Sequence, residues 1–264
     1  AQSAPAGRLR IGMCDWNLRR QDVTCFELAR EAGLDGVQVS LGLPSGMFLR
    51  DRALQRRYLH ESKRTGVAIT STAMGVLNDV PLMSEPKAAL WVADGIEITR
   101  ALAQRVMLLA FFGKGELREE NTEDMRRVTE ALVELAPRAE KAGVILGLEN
   151  YLSAEANLRI IEKVGSPSVQ VYYDVYNAST KNYDVLKEIR LLGKAGQICE
   201  VHIKEGPHYL GETGKPDWPA VVDALGEIGY RGWLVIETSS PKDLLDDTRR
   251  NLAYVRKVFA RLAG

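Results

Sequence analysis

The stretch Val169-Gln170-Val171-Tyr172-Tyr173-Asp174-Val175-Tyr176-Asn177-Ala178-Ser179 opens as a buried strand, β-branched and aromatic, and places a carboxylate where the apolar run ends. Aspartate is depleted from strands, and an unpaired buried carboxylate is costly. Asp174 therefore needs a compensating partner at that strand end. The same construction recurs on either side. Glu149 ends the run in "VILGLEN", His202 sits in "ICEVHIKE", and Glu237 in "GWLVIETSS". The four are separated by 25, 28 and 35 residues.

Those separations are each close to one strand-plus-helix unit, and the unit repeats along the chain. Short apolar runs occur at 9–14, 36–40, 67–72, 105–110, 144–149, 169–174, 198–204 and 233–238. Helix-patterned segments fall between and after them, at 23–32, 51–65, 86–102, 121–143, 155–164, 183–194, 218–228 and 241–262. Glycine stands before several strands, at Gly33, Gly66, Gly143, Gly229 and Gly232, as the left-handed residue that closes a helix. Strands alternating with helices make right-handed βαβ units and a parallel sheet. Eight units of about 33 residues match a (β/α)8 TIM barrel. A doubly wound open sheet would carry a Gly-rich turn after its first strand, where this chain has Cys14-Asp15-Trp16-Asn17-Leu18. We read an N-terminal tail at 1–8 and one barrel domain at 9–264.

In such a barrel the C-terminal strand ends form the active face. Singly, a glutamate at a strand end is usually a cap or half of a salt bridge, and a histidine in a strand is usually hydrogen-bonded core. Four in register on successive strands are different. Three carboxylates and one imidazole can surround a divalent cation and leave positions open for substrate oxygens. The expected metal ligands are Glu149, Asp174, His202 and Glu237. Period-two alternation puts Lys204 on the same face as His202, above the metal layer, where it can pair with substrate or with Glu205 or Glu237. Glu200 shares that face one layer lower, an awkward place for a charge unless it is paired or protonated. Asn177 and His208 are candidate substrate contacts from the loops, although Asn177 could equally cap the next turn. Trp16 and Phe112 are candidate apolar walls, with Met74 and Phe111 considered beside them. Asp217, before Trp218-Pro219, reads as a helix N-cap, and His60 as a surface residue.

Lys plus Arg and Asp plus Glu both total 35, so the net charge is zero. That supplies no field for nucleic acid and no polybasic membrane anchor. No apolar run is long enough to span a bilayer. A small neutral substrate is the better expectation. Cys14, Cys25 and Cys199 lack metal-type spacing and read as free thiols. The opening Ala-Gln-Ser-Ala-Pro-Ala has no initiator Met, so an exported or periplasmic mature protein is open alongside a cytoplasmic one.

Through "LGLEN", "YYDVYNAS", "VHIKEG", "LGETGKPDW" and "GYRGWLVIET", in that order, the chain resembles the sugar phosphate isomerase/epimerase group of xylose isomerase-like barrels. That group includes ketose 3-epimerases, hydroxypyruvate isomerases and inosose-processing enzymes. The resemblance implies one divalent metal, Mn2+ first, with Mg2+, Co2+ or Zn2+ as alternatives, on Glu149, Asp174, His202 and Glu237. It also implies that Glu149 and Glu237 are the acid/base pair, that the substrate is a carbohydrate, and that homo-oligomers are common; it makes cytoplasmic location the default. Asn177 stands where ketose 3-epimerases often carry His, and His208 where they often carry Arg. A dehydratase or lyase on a keto-sugar or keto-inositol would use the same enolate chemistry. An endonuclease IV-like enzyme would resemble a histidine-rich trinuclear site on a basic surface, which three histidines and zero net charge do not supply. A non-catalytic sugar-binding barrel would not need all four ligand-type residues.

Overall fold

The computed structural model describes residues 9–263, so the expected tail at 1–8 lies outside the described residues. In chain order the elements are β1 (Ile11–Cys14), α1 (Cys25–Ala32), β2 (Gly36–Ser40), α2 (Arg52–Thr65), β3 (Ala68–Met74), α3 (Pro86–Ala101) and β4 (Val106–Ala110). They continue with α4 (Thr122–Ala142), β5 (Ile145–Glu149), α5 (Ala154–Val164), β6 (Val169–Asp174), α6 (Val175–Thr180) and α7 (Val185–Lys194). The last are β7 (Ile198–Ile203), α8 (Trp218–Glu227), β8 (Leu234–Ile236) and α9 (Leu244–Val258). The strands close in sequence order into a parallel barrel, β1 pairing with both β2 and β8. This is the (β/α)8 barrel that the alternation predicts.

Side chains that alternate along each strand divide between two environments. Met107 and Leu109 of β4 pack outward in the large cluster shared with the helices, which also holds Phe26, Val92, Leu132 and Val255. Leu108 and Ala110 turn inward beside Tyr172, in a separate small cluster inside the barrel. Gly12 and Gly36 make room near the barrel floor: a Cβ on either would stand 2.5 or 2.6 Å from Thr70 Cγ2. Gly33, Gly66, Gly143 and Gly229 adopt the left-handed conformation expected after a helix. Gly232 does not. A Cβ there would lie 2.4 Å from the Tyr230 hydroxyl, so a side chain at this position would displace the Tyr230 ring.

Two local differences from the expected pattern bear on the active face. A six-residue helix, α6, begins directly after β6, with Asp174 as its N-cap. β8 ends at Ile236, one residue before Glu237, whose N–H still reaches Ile203 O at 3.0 Å. Among the described residues no helix is long and apolar enough to cross a membrane.

Candidate metal centre

Strand register brings three of the four strand-end residues to one level, and Glu149 reaches them from the end of β5. Asp174 lies beside His202 in the β6–β7 pairing, and Ile203 pairs with Ile236, which delivers Glu237 to the same level. One ligand-type atom from each of Glu149, Asp174, His202 and Glu237 falls within 4.8 Å of the other three. His202 is fully buried, with Nδ1 at 3.0 Å from Glu149 Oε1, 3.5 Å from Glu237 Oε2 and 3.9 Å from Asp174 Oδ2. One imidazole nitrogen therefore faces three carboxylates.

The opposite nitrogen is held from behind. His202 Nε2 lies 2.9 Å from Gln38 Oε1, while Gln38 Nε2 donates to the Ser71 and Tyr172 hydroxyls, each at 3.0 Å. The Tyr172 hydroxyl donates to Glu200 Oε2 at 3.0 Å. The fully buried Cys14 thiol donates to the same Gln38 oxygen at 3.3 Å. With that oxygen accepting, Nε2 keeps its proton, and Nδ1 is the nitrogen that would give up its proton and offer a lone pair to an ion on the carboxylate side. Glu200 thus sits in the lower layer that strand parity predicts, paired to a tyrosine, and burial pushes its carboxyl up to about 7.

The charges explain why this cluster suits a cation. Asp174 uses Oδ1 to cap α6, accepting from Asn177 N at 2.7 Å, whereas its buried Oδ2 has no hydrogen-bond partner. Burial pushes the Asp174 carboxyl up to about 7, with Lys204 opposing the rise and Glu237 and Glu149 adding to it. Burial alone would lower His202, but the Glu149 and Glu237 carboxylates reverse this and raise it to about 9. Burial also raises Glu237, yet His202 and Lys204 outweigh it and hold that carboxyl below its usual range. Lys204 Nζ is 2.9 Å from Glu237 Oε2 and 3.8 Å from Asp174 Oδ2. Once an ion has displaced the His202 proton, three carboxylates face the Lys204 ammonium alone, an excess of negative charge that a divalent ion would neutralise. The orphaned Asp174 oxygen, the Nδ1 lone pair and the oxygen-rich donor set all fit such an ion.

A cavity of about 250 Å³ opens above the cluster. Of the four residues only Glu149 and Glu237 line it, and Trp16 and Phe112 contribute apolar surface to its wall. Trp16 Nε1 also donates to Glu237 Oε1 at 3.1 Å, and Phe112 packs edge-on against Tyr151. Met74 and Phe111 are instead fully buried in the core between barrel and helices. Asn177 is buried behind the cluster rather than in the cavity wall. His208 is not brought to the cavity. Its side chain is half exposed and pairs with Glu212 at 3.6 Å, because the loop after β7 folds around the Glu205 carboxylate and turns His208 outward. The residues that sequence reading missed are Gln38 and the opposite rim, Gln21, Ser40, Asn78 and Asp79. A glutamine within the apolar "GVQVS" was the available signal for Gln38.

A family model described as xylose isomerase-like TIM barrel matches residues 26–258. The chain is 32% identical over 248 residues to L-ribulose 3-epimerase of Mesorhizobium japonicum, covering 88% of this chain and 80% of that protein. It is 27% identical over 239 residues to the 2-epi-5-epi-valiolone 7-phosphate 2-epimerase of an Actinoplanes species, covering 88% and 83%. The solved structure of D-psicose 3-epimerase with D-tagatose from Clostridium cellulolyticum superimposes with a TM-score of 0.79 at 18% identity, covering 95% of this chain and 99% of that one. At that identity the superposition speaks for the fold. The chain belongs to the xylose isomerase-like TIM-barrel family of sugar isomerases and epimerases.

Proposed function

We propose that this protein is a divalent-metal-dependent epimerase or isomerase of a small keto-sugar, moving a proton through an enediolate with Glu149 and Glu237. One observation carries the reading. Of the four clustered residues, the two that face the cavity are the two glutamates, while Asp174 and His202 lie behind them. Glu149, Asp174, His202 and Glu237 would hold the cation. When bound, it supplies Lewis-acid stabilisation of negative charge developing on substrate oxygens. The family resemblance makes Mn2+ the first ion to test, and three carboxylates with an imidazole are compatible with Mn2+, Mg2+, Co2+ or Zn2+.

The chain's own groups do the rest. The obstacle is the weak acidity of a carbon next to a carbonyl. Glu237, kept ionised by Lys204 and His202 and aimed by Trp16 Nε1, is equipped to remove that proton. Glu149, at the end of β5, offers a second carboxyl group from another part of the cavity wall. Proton return to the opposite face of the same carbon gives epimerisation, and return to the neighbouring carbon gives aldose–ketose isomerisation. Positioned acid–base groups contribute about 10²–10⁴-fold. Trp16 and Phe112 keep water from the face they cover.

The names of the relatives, L-ribulose 3-epimerase and D-psicose 3-epimerase, make ketopentoses and ketohexoses the first substrates to test. Incubation in D2O should place deuterium at a carbon adjacent to the carbonyl, with product mass otherwise unchanged. Glu149→Gln and Glu237→Gln should each abolish that incorporation while the fold survives. Retention of exchange by both variants would sink the assignment, and a product lighter by one water would mark a dehydratase instead.

A further inference from the structure

We propose that the cavity selects an uncharged keto-sugar of monosaccharide size and rejects the phosphorylated form of the same sugar. This deepens the reading above and rests on it. The two relatives point in different directions, one named for a free sugar and the other for a 7-phosphate. Three features of this chain decide between them.

The first is the charge of the wall. The described residues lining the cavity include three carboxylates, Asp79, Glu149 and Glu237, and no lysine or arginine. Asp79 is exposed at the rim contributed by the segment after β3, on the far side from the clustered ligands. Its neighbours there, Gln21, Ser40 and Asn78, are neutral hydrogen-bonding groups suited to hydroxyls. Lys204 is not part of that wall, and its ammonium is committed to Glu237 and Asp174.

The second is the loop after β7. Barrels of this architecture commonly hold phosphate with the loops after the seventh and eighth strands and a nearby helix N-terminus. Here the Gly-rich turn "GETGK" offers backbone N–H groups for that purpose, but those of Gly211 and Thr213 point at the protein's own anion, and those of Glu212 and Lys215 are used within the loop. Glu205, fully buried, accepts from Gly211 N and Thr213 N, each at 2.6 Å, from the Thr213 hydroxyl at 2.6 Å, and from Trp218 Nε1 at 2.9 Å.

The third is the segment after β8. The backbone donors at the start of α9 are filled the same way. Lys242 N and Asp243 N donate to Asp247 Oδ2, and Leu245 N and Asp246 N donate to Asp243 Oδ1. Both customary phosphate cradles are therefore occupied by side-chain carboxylates. A cavity of about 250 Å³ lies just below the usual range of about 300–1,000 Å³ for small-molecule sites, which suits one sugar ring and little more.

The test measures binding separately from turnover. Matched pairs, D-fructose with its 6-phosphate and D-ribulose with its 5-phosphate, are titrated into the Mg2+-loaded protein and followed by ligand-observed saturation-transfer NMR. The expected result is at least about tenfold tighter binding of the free sugar in each pair that binds. Equal or tighter binding of the phosphate overturns the proposal, and so does saturable binding of neither free sugar. A free sugar that binds without exchanging deuterium would instead count against the epimerase reading and leave the selectivity standing. Asp79→Lys supplies the second arm: it should narrow the free-over-phosphate ratio by about tenfold, and an unchanged ratio would remove Asp79 from the argument.

Discussion

Gln38 Oε1 stands 2.9 Å from His202 Nε2, on the side of the imidazole facing away from Glu149, Asp174 and Glu237. The contact crosses the barrel interior from β2 to β7, and both residues are fully buried. Glutamine is placed here by its own partners, because its amide nitrogen is already spent on Ser71 and Tyr172. Only its oxygen remains to face the ring. A histidine in a metal site takes its tautomer from the group behind it, so Gln38 sets which nitrogen the cluster can use.

Replacing that oxygen should therefore weaken metal binding more than it weakens the fold. Gln38→Leu leaves His202 Nε2 without its acceptor, and Mn2+ affinity should fall about 10–100-fold. Gln38→Glu keeps an acceptor opposite Nε2 and should recover most of the loss. Mn2+ titration followed by electron paramagnetic resonance reads both variants, with thermal unfolding as the control. If the two lose affinity only in proportion to lost stability, Gln38 is a packing residue and no more.

Metal binding should release protons, in a direction set by two groups. Without the ion, His202 keeps its proton up to about pH 9 and Asp174 titrates near 7. A bound cation needs the imidazole neutral and the carboxylate ionised. Between pH 7 and 9, uptake of one ion should displace about one proton, and more as pH falls through 7. Affinity should therefore climb with pH and level off above 9. Calorimetric titrations at pH 8 in buffers of different ionisation enthalpy measure the proton count. A count of zero would mean that His202 is not displaced from its proton and is not a ligand.

Glu205 should prove structural rather than catalytic. Removing its carboxylate orphans two backbone donors and the Trp218 indole in one stroke. An unsatisfied buried donor costs about 1–3 kcal/mol, and with the Trp218 indole buried and the two loop donors only partly so, Glu205→Ala should destabilise the fold by roughly 2–4 kcal/mol. At about 2–4 °C per kcal/mol, the melting temperature should drop by roughly 10 °C. Glu205→Gln should also lose stability, since its amide NH2 meets donors where the carboxylate met acceptor-seeking groups. A melting temperature within about 2 °C of the parent for both variants would show that the loop is not held through Glu205.

The clustering of Glu149, Asp174, His202 and Glu237 was legible because two regularities reinforced each other. Residues such as Asp174 and His202 are chemically out of place in apolar strands, and strand spacing put them at one end of a barrel. Features that depend on tertiary partners were not. The helix after Asp174 is only six residues long, too short for an amphipathic period to register. His208 lies six residues past His202, and that proximity suggested a role. The loop's direction is decided by Glu205 reaching Gly211 and Thr213, which no local pattern announces. Gln38 escaped notice because its meaning lies in side chains from β1, β3, β6 and β7. Asp79 was hidden for a related reason: the rim opposite the ligands has no spacing rule, only the shape of the segment after β3.

Glu200 offers a test of the polar floor beneath the site. Its carboxyl titrates near 7 in the fold, against about 4.5 when free, because burial disfavours the charge. Between those values the folded protein holds a proton that the unfolded chain has lost. Stability therefore declines as pH rises from 4.5 to 7, and the full penalty applies above 7. A rise of this size corresponds to on the order of 3 kcal/mol. Glu200→Gln keeps an oxygen to accept from the Tyr172 hydroxyl and carries no charge at any pH. The variant should match the parent near pH 5 and melt roughly 5–10 °C higher at pH 8, compared in the same metal state. A gap that does not widen between pH 5 and 8 would mean that Glu200 is stabilised as an anion, and that the Glu200–Tyr172–Gln38 chain behind His202 runs with the opposite charge.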